Sequence, residues 1–144
     1  MHPLAWDDGL ALAAQDHCRD TGSRGLISHE GVEGSTVRDR IARYGDVEGA
    51  VAENLSFGEN QPDGYVASLF VDDGVEDRQN RFNMLNKAFT KVGIAYCPHA
   101  SDYEGMVSIA YAKDFTMNGY GEREVKRRFF LRRKKSNVAN NLFG

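Results

Sequence analysis

Residues 88–115 read AFTKVGIAYCPHASDYEGMVSIAYAKDF, and their pattern sets the class of fold. Ala88–Cys97 and Gly105–Phe115 alternate and are rich in β-branched and aromatic residues, which suit the pleated, half-buried surface of a strand. The polar segment between them, Pro98–Glu104, reads as a hairpin loop. Upstream the periodicity becomes helical. Leu4, Leu10, Ala11, Ala14 and Cys18 recur at helical spacing, so Trp6–Thr21 is expected as a helix, capped by Asp7 or Asp8 and ended by Gly22. A glycine-punctuated loop follows over 22–35. Val37–Tyr44 reads as a short helix with Val37, Ile41 and Tyr44 inward and Arg38, Arg40 and Arg43 outward. Pro62–Gly74 reads as a helix with Tyr65, Val66, Leu69 and Phe70 inward, and Asp77–Asn86 as a second short helix or turn. Helices first and antiparallel strands later predict an α+β or α/β sandwich, of which α+β is taken here.

Between the two helical parts lies Val51–Glu59, VAENLSFGE, where Glu53 stands among Val51, Ala52, Leu55 and Phe57. An ionised carboxylate in that company must be paired, hydrogen-bonded or hydrated, because burying it alone costs several kcal/mol or more. By itself Glu53 reads as a helix-start or turn residue bound to nearby backbone; partners would make it functional. His29, in the glycine loop, is the first of these, as a second ligand or as a base that Glu53 orients. His99, in Cys97-Pro98-His99, is the other histidine available to converge on them. Two His and one Glu suffice for an open zinc position. The plainer readings are a hydrogen-bonded loop histidine for His29 and a surface-loop histidine for His99. His2 and His17 read as surface groups, and Asp72 and Asp73 as helix-end and turn residues before Gly74. Ser28 beside His29 is not read as a catalytic pair, since sequence neighbours rarely place their side chains in contact. There is no GxSxG elbow, HExxH or phosphate-binding glycine loop, so catalysis is the lesser reading.

At 144 residues the chain is long enough for one well-buried domain. No apolar run approaches the ~18 residues that a membrane-spanning helix needs, and MHPLAWDDGL lacks the basic start and apolar core of a secretion signal. Cys18 and Cys97 fit no metal-binding spacing. They are compatible with one disulfide in an oxidising compartment, but the reading preferred here is two ordinary buried thiols. Charge is unevenly placed. Residues 119–144 hold 8 of the 18 Lys+Arg and 2 of the 21 Asp+Glu, a net of +6. Residues 1–118 carry the remaining 10 basic and 19 acidic groups, a net of −9, which argues against a general nucleic-acid surface. The segment Lys126–Lys135, KRRFFLRRKK, reads as a contact for an anionic membrane, a nucleic-acid or nuclear-import patch, or a solvated, flexible extension. Residues 1–118 are accordingly taken as one domain and 119–144 as a basic tail.

The succession Leu4-x-Trp6, Ala13-Ala14, Ser28-His29, Arg40, Glu53-Asn54, Asp73-Gly74-Val75, Arg78-x-x-Arg81-x-Asn83 and Val92-Gly93-Ile94-Ala95 resembles the CAP domain of cysteine-rich secretory, antigen-five and pathogenesis-related proteins. DDGVEDRQNRFNMLNKAFTKVGIA is similar to the bacterial and protist form. The resemblance covers residues 3–115. It implies a three-layer α-β-α sandwich with a mainly antiparallel central sheet, an extracellular location, and a cleft that in many members holds two His and one or two acidic residues around zinc. His29 matches the first histidine and Glu53 the glutamate; Asn80 stands where the second histidine is expected, a poor zinc ligand in its place. The cleft set is thus His29, Glu53 and Asn80, with His29, Glu53 and His99 as the candidate metal set. The resemblance further implies a secreted binding protein for a lipid, a sterol or a protein partner, with a zinc-assisted hydrolase using His29 and Glu53 as the alternative. The family's usual first helix, before Leu4-x-Trp6, is not found in this chain, which reads as a fragment of the pattern at that end.

Overall fold

The computed structural model describes residues 2–59 and 61–142, side chains of 129 and 132–142 excepted. Ala5–Trp6 (β1) leads into α1 (Asp8–Gly22), followed by α2 (Val37–Ala42), β2 (Gly45–Phe57), α3 (Pro62–Val71), α4 (Gln79–Leu85), β3 (Lys91–Pro98), β4 (Gly105–Met117) and α5 (Gly119–Leu142). The four strands form one sheet in the order β1-β3-β4-β2. β4 pairs antiparallel with both neighbours, Ile109 standing between Ile94 and Asn54, and only the two-residue β1 is parallel. The α+β class, the hairpin and the mainly antiparallel sheet are as expected from residues 88–115.

Alternation along β4 divides the core. Met106, Ala110 and Ala112 face α1 and α2, where Leu10, Ala13, Ala14, Cys18, Ile41 and Tyr44 meet them. Val107, Ile109 and Tyr111 face the other way, onto Tyr65 and Leu69 of α3 and Phe89. Helices on both faces give the three layers. α1 comes closest at Gly93, where an added Cβ would lie 2.0 Å from the Ala11 nitrogen. Backbone stands on both sides of that contact, so no side chain can yield. We expect Gly93→Ala to displace α1 and to cost about 1–3 kcal/mol in urea denaturation; an unchanged midpoint would mean that α1 sits further from the sheet.

Several local expectations change. Trp6 belongs to β1, paired with Val92, and the helix begins only at Asp8, because the Asp7 carboxylate caps Gly9 and Leu10 N–H groups. Val51–Glu59 contains no helix start. Through Phe57 it is the end of β2, whose 13 residues bulge near Gly49 at φ +72°. α3 stops at Val71, with Asp72 left-handed after it. Tyr65 and Leu69, four residues apart, point to the sheet, while Val66 and Phe70 lie one step round the helix and are exposed rather than inward. Cys18 of α1 and Cys97 of β3 form a disulfide, not two thiols. Residues 119–142 continue directly from β4 as a helix, and Arg128 on it bonds Asp16 of α1 and the Tyr44 hydroxyl.

Candidate functional site

Glu53 is the centre of a buried ion network. Its place on β2, between β4 and the α1–α2 layer, takes the carboxylate out of water, so both oxygens need partners. Oε1 accepts from Arg40 Nη2 at 2.8 Å and from the Ser108 hydroxyl at 3.2 Å. Oε2 accepts from His29 Nδ1 at 3.0 Å and lies 3.7 Å from His17 Nε2. The Arg40 and Glu53 side chains are each 2% exposed. The guanidinium also donates to the Ser35 and His29 carbonyls at 2.7 and 3.2 Å. Arg40 thereby ties α2, the glycine loop and β2 together, which corrects its placement on the outer face of the helix.

His17 is likewise not a surface group. It is fully buried, and its Nε2 stands 2.8 Å from the Ser28 carbonyl. A carbonyl only accepts, so the proton is assigned to Nε2. Burial, helped by Arg40 and His29, holds His17 below its ordinary 6.5 despite the opposing Glu53. Burial also pushes the Glu53 carboxyl upward, but the His29 bond, His17 and Arg40 together outweigh it and leave the group below its usual 4.5. The network is a neutral imidazole beside an ionised Glu–Arg pair. A signal for His17 was present: with Leu10, Ala14 and Thr21 it continues the inward stripe of α1.

His29 is the exposed member. Its side chain is 65% accessible, and with Nδ1–H given to the carboxylate, the assigned free lone pair is on Nε2. Beside the pair lies a hollow of about 520 Å³ with Val51, Ala52, Gln79, Phe82, Asn83 and Phe89 on its walls. Asn80 is not on those walls. Its amide donates to Asp72 at 2.8 Å, and Asp72 also accepts from the Arg81 N–H, so the two residues fasten α4 to the end of α3. Asn83 and Asn54 do the corresponding work inside, amide to amide at 2.9 Å. The Ser28 hydroxyl accepts the Glu30 N–H at 3.0 Å as a local turn.

His99 does not converge on His29 and Glu53. It is buried rather than a surface group, with its ring nitrogens 3.1 Å from the Leu26 carbonyl and 2.6 Å from the Ser101 hydroxyl. It staples the β3–β4 loop to the segment after α1. Among the described residues, no three His, Cys, Asp or Glu side chains stand together as a metal site. The donor chemistry agrees: a guanidinium occupies one Glu53 oxygen, His17 faces a carbonyl, and the Asn80 amide is turned to Asp72. The residues present do not fit the zinc centre that the resemblance implied.

A second hollow, about 550 Å³, lies between α3 and the β3–β4 hairpin. Val107 and Ile109 line it from the sheet, Pro62 and Val66 from the helix, and Tyr103, Glu59 and Glu104 also border it. Ile94 and Tyr96 remain 42% and 63% exposed on it. The Tyr65 hydroxyl is buried here beside the Glu59 backbone, and among the described residues no side chain bonds it. Gly105 leaves room for both phenols: an added Cβ would meet the Tyr96 and Tyr65 hydroxyls at 2.8 and 3.0 Å. Sequence reasoning missed this groove because it placed Val66 inward.

A helix–sheet–helix sandwich with a His–Glu pair is the arrangement that the resemblance to the CAP domain implied. Residues 1–112 match the model of the CAP domain, the Cysteine-rich secretory protein family, and the chain belongs to that family. Among solved structures it is similar to an outer surface protein from Borrelia burgdorferi, with 19% identity and a TM-score of 0.66 over 78% of this chain and 79% of that one. It is also similar to an extracellular protein containing a SCP domain from Bacillus anthracis, with 20% identity and a TM-score of 0.59 over 79% of this chain and 35% of that one. At these identities the likeness concerns the fold. No curated protein matches the chain. None of the described helices is long and apolar enough to cross a membrane.

Proposed function

We propose that this chain is an extracellular binding module that takes an amphiphile of lipid or sterol type into the groove between α3 and the β3–β4 hairpin. The observation that carries the reading is an apolar hollow of about 550 Å³ with the buried Tyr65 hydroxyl on its wall. That size and lining suit a small-molecule site with few polar groups. An apolar body would cover Ile94, Val107 and Ile109, and a hydroxyl or ester oxygen would satisfy Tyr65. The extracellular setting is supported by the family, by the outer-surface and extracellular descriptions of the two structural relatives and by the Cys18–Cys97 disulfide.

Displacement of a fluorescent sterol and a fluorescent fatty acid tests the reading. Ile94→Glu, at an exposed position that the fold does not need filled, is expected to weaken binding about tenfold to a hundredfold, the loss of one well-buried apolar contact. Tyr65→Phe is expected to weaken a hydroxyl-bearing ligand by about threefold to tenfold and to leave a hydrocarbon without a polar head unaffected. Wild-type affinity in Ile94→Glu would remove the groove from consideration.

The His29–Glu53 pair favours a second reading, a hydrolase in which Glu53 orients His29 to activate water. Zinc is not needed for it. Esterase activity abolished by His29→Ala, with ligand binding unchanged, would support that reading; activity equal in both proteins would end it.

A further inference from the structure

We infer that α5 is a docking element for an anionic bilayer surface, an inference independent of the groove and of its ligand. The first turns of α5 are fixed to the body. Tyr120 stacks on Tyr44 with ring centroids 5.9 Å apart, and Arg128 donates to Asp16 at 3.1 Å and to the Tyr44 hydroxyl at 3.2 Å. Glu124 takes up Arg127 at 2.7 Å. The two acidic residues of 119–144 both precede Arg127, so the charge beyond that point is wholly basic.

Arg132, Arg133, Lys134 and Lys135 follow one another on the helix. Just before them, Phe130 and Leu131 are 59% and 46% exposed. A partner must therefore supply negative charge and hydrocarbon together. A bilayer containing phosphatidylserine offers both: headgroups for the four cations and acyl chain for Leu131. Duplex nucleic acid offers the charge but gives an aliphatic side chain no comparable seat. The body, at −9 over residues 1–118, is repelled by the same surface and would stand away from it.

The test is co-sedimentation of the full chain with phosphatidylcholine vesicles, with and without phosphatidylserine. Each basic residue near an anionic surface multiplies binding by a factor of roughly five. We expect phosphatidylserine to raise partitioning roughly a hundredfold or more through the four-residue run, and added salt to reverse it. The combined variant Arg132→Glu, Arg133→Glu, Lys134→Glu, Lys135→Glu is expected to lose that gain, and Leu131→Asp part of it. The groove's proposed ligand is recognised by apolar cover rather than charge, so the gain from phosphatidylserine over pure phosphatidylcholine reads α5 separately from the groove. Equal partitioning onto neutral and anionic vesicles, wild-type binding by the fourfold variant, or preference for duplex DNA over anionic vesicles would overturn it.

Discussion

Replacing Glu53 by alanine is expected to cost about 3–5 kcal/mol, a large part of the roughly 5–15 kcal/mol that holds a domain together. The variant leaves the Arg40 guanidinium buried with two carbonyl acceptors and, among the described residues, no counter-charge and no partner for its Nε. The cost comes from stranding one charge, so removing both should recover most of it. Glu53→Leu with Arg40→Met is expected to be closer to the wild type than either single change. Urea denaturation of the four proteins gives the comparison. A loss below about 1 kcal/mol for Glu53→Ala would place the pair in the range of solvent-exposed ion pairs. The same network sets the acid response. His17 and Glu53 both have folded values below their ordinary 6.5 and 4.5. The unfolded chain therefore binds more protons in each window, and stability falls with decreasing pH. The decline begins as pH drops below about 6.5 through His17 and steepens below about 4.5 through Glu53.

Reducing the Cys18–Cys97 disulfide is expected to lower stability by about 4 kcal/mol. The bond joins α1 to β3 across a sequence separation of 79 residues, and both cysteines are buried. Closing so long a loop removes much freedom from the unfolded chain, which is the main source of the effect in the chain-entropy model. Cys18→Ser with Cys97→Ser should show a loss of the same order, since two small buried side chains replace the bridge. Thermal or urea unfolding with and without reductant measures it. Two thiols titrating in the native, unreduced protein would contradict the assignment.

The elements that the sequence revealed are those whose pattern is local. The β3–β4 hairpin announces itself by alternation, and α1 by the spacing of Leu10, Ala14 and Cys18. Ile41 of α2 and Tyr44 just beyond it follow the same rule. What escaped is set by distant partners. β2 carries few β-branched residues around Glu53, and it is a strand because β4 lies beside it over both halves of a bulge. Arg40 reads as outward on charge alone; a carboxylate from β2 and two carbonyls make its burial tolerable. His17 lies on the inward stripe of α1, but its partners Ser28 and Glu53 reach it only through the fold. For His29 and Glu53, resemblance to the family carried the pairing, which the structure gives as a single hydrogen bond. The place of His99 escaped because nothing in the sequence indicates that the hairpin loop folds back on Leu26. Val66 shows how a helix of ten residues is easily misread: with one inward stripe, its next residue lines a groove.

Residue-resolved NMR titration of the labelled chain with a monomeric long-chain alcohol addresses the binding site most directly. The expected result is a set of shifts centred on Tyr65, Val66, Ile94, Tyr96, Val107 and Ile109, with His29 and Phe82 unmoved. Shifts centred instead on His29, Phe82 and Asn83, or none at saturating alcohol, would contradict a ligand groove between α3 and the hairpin.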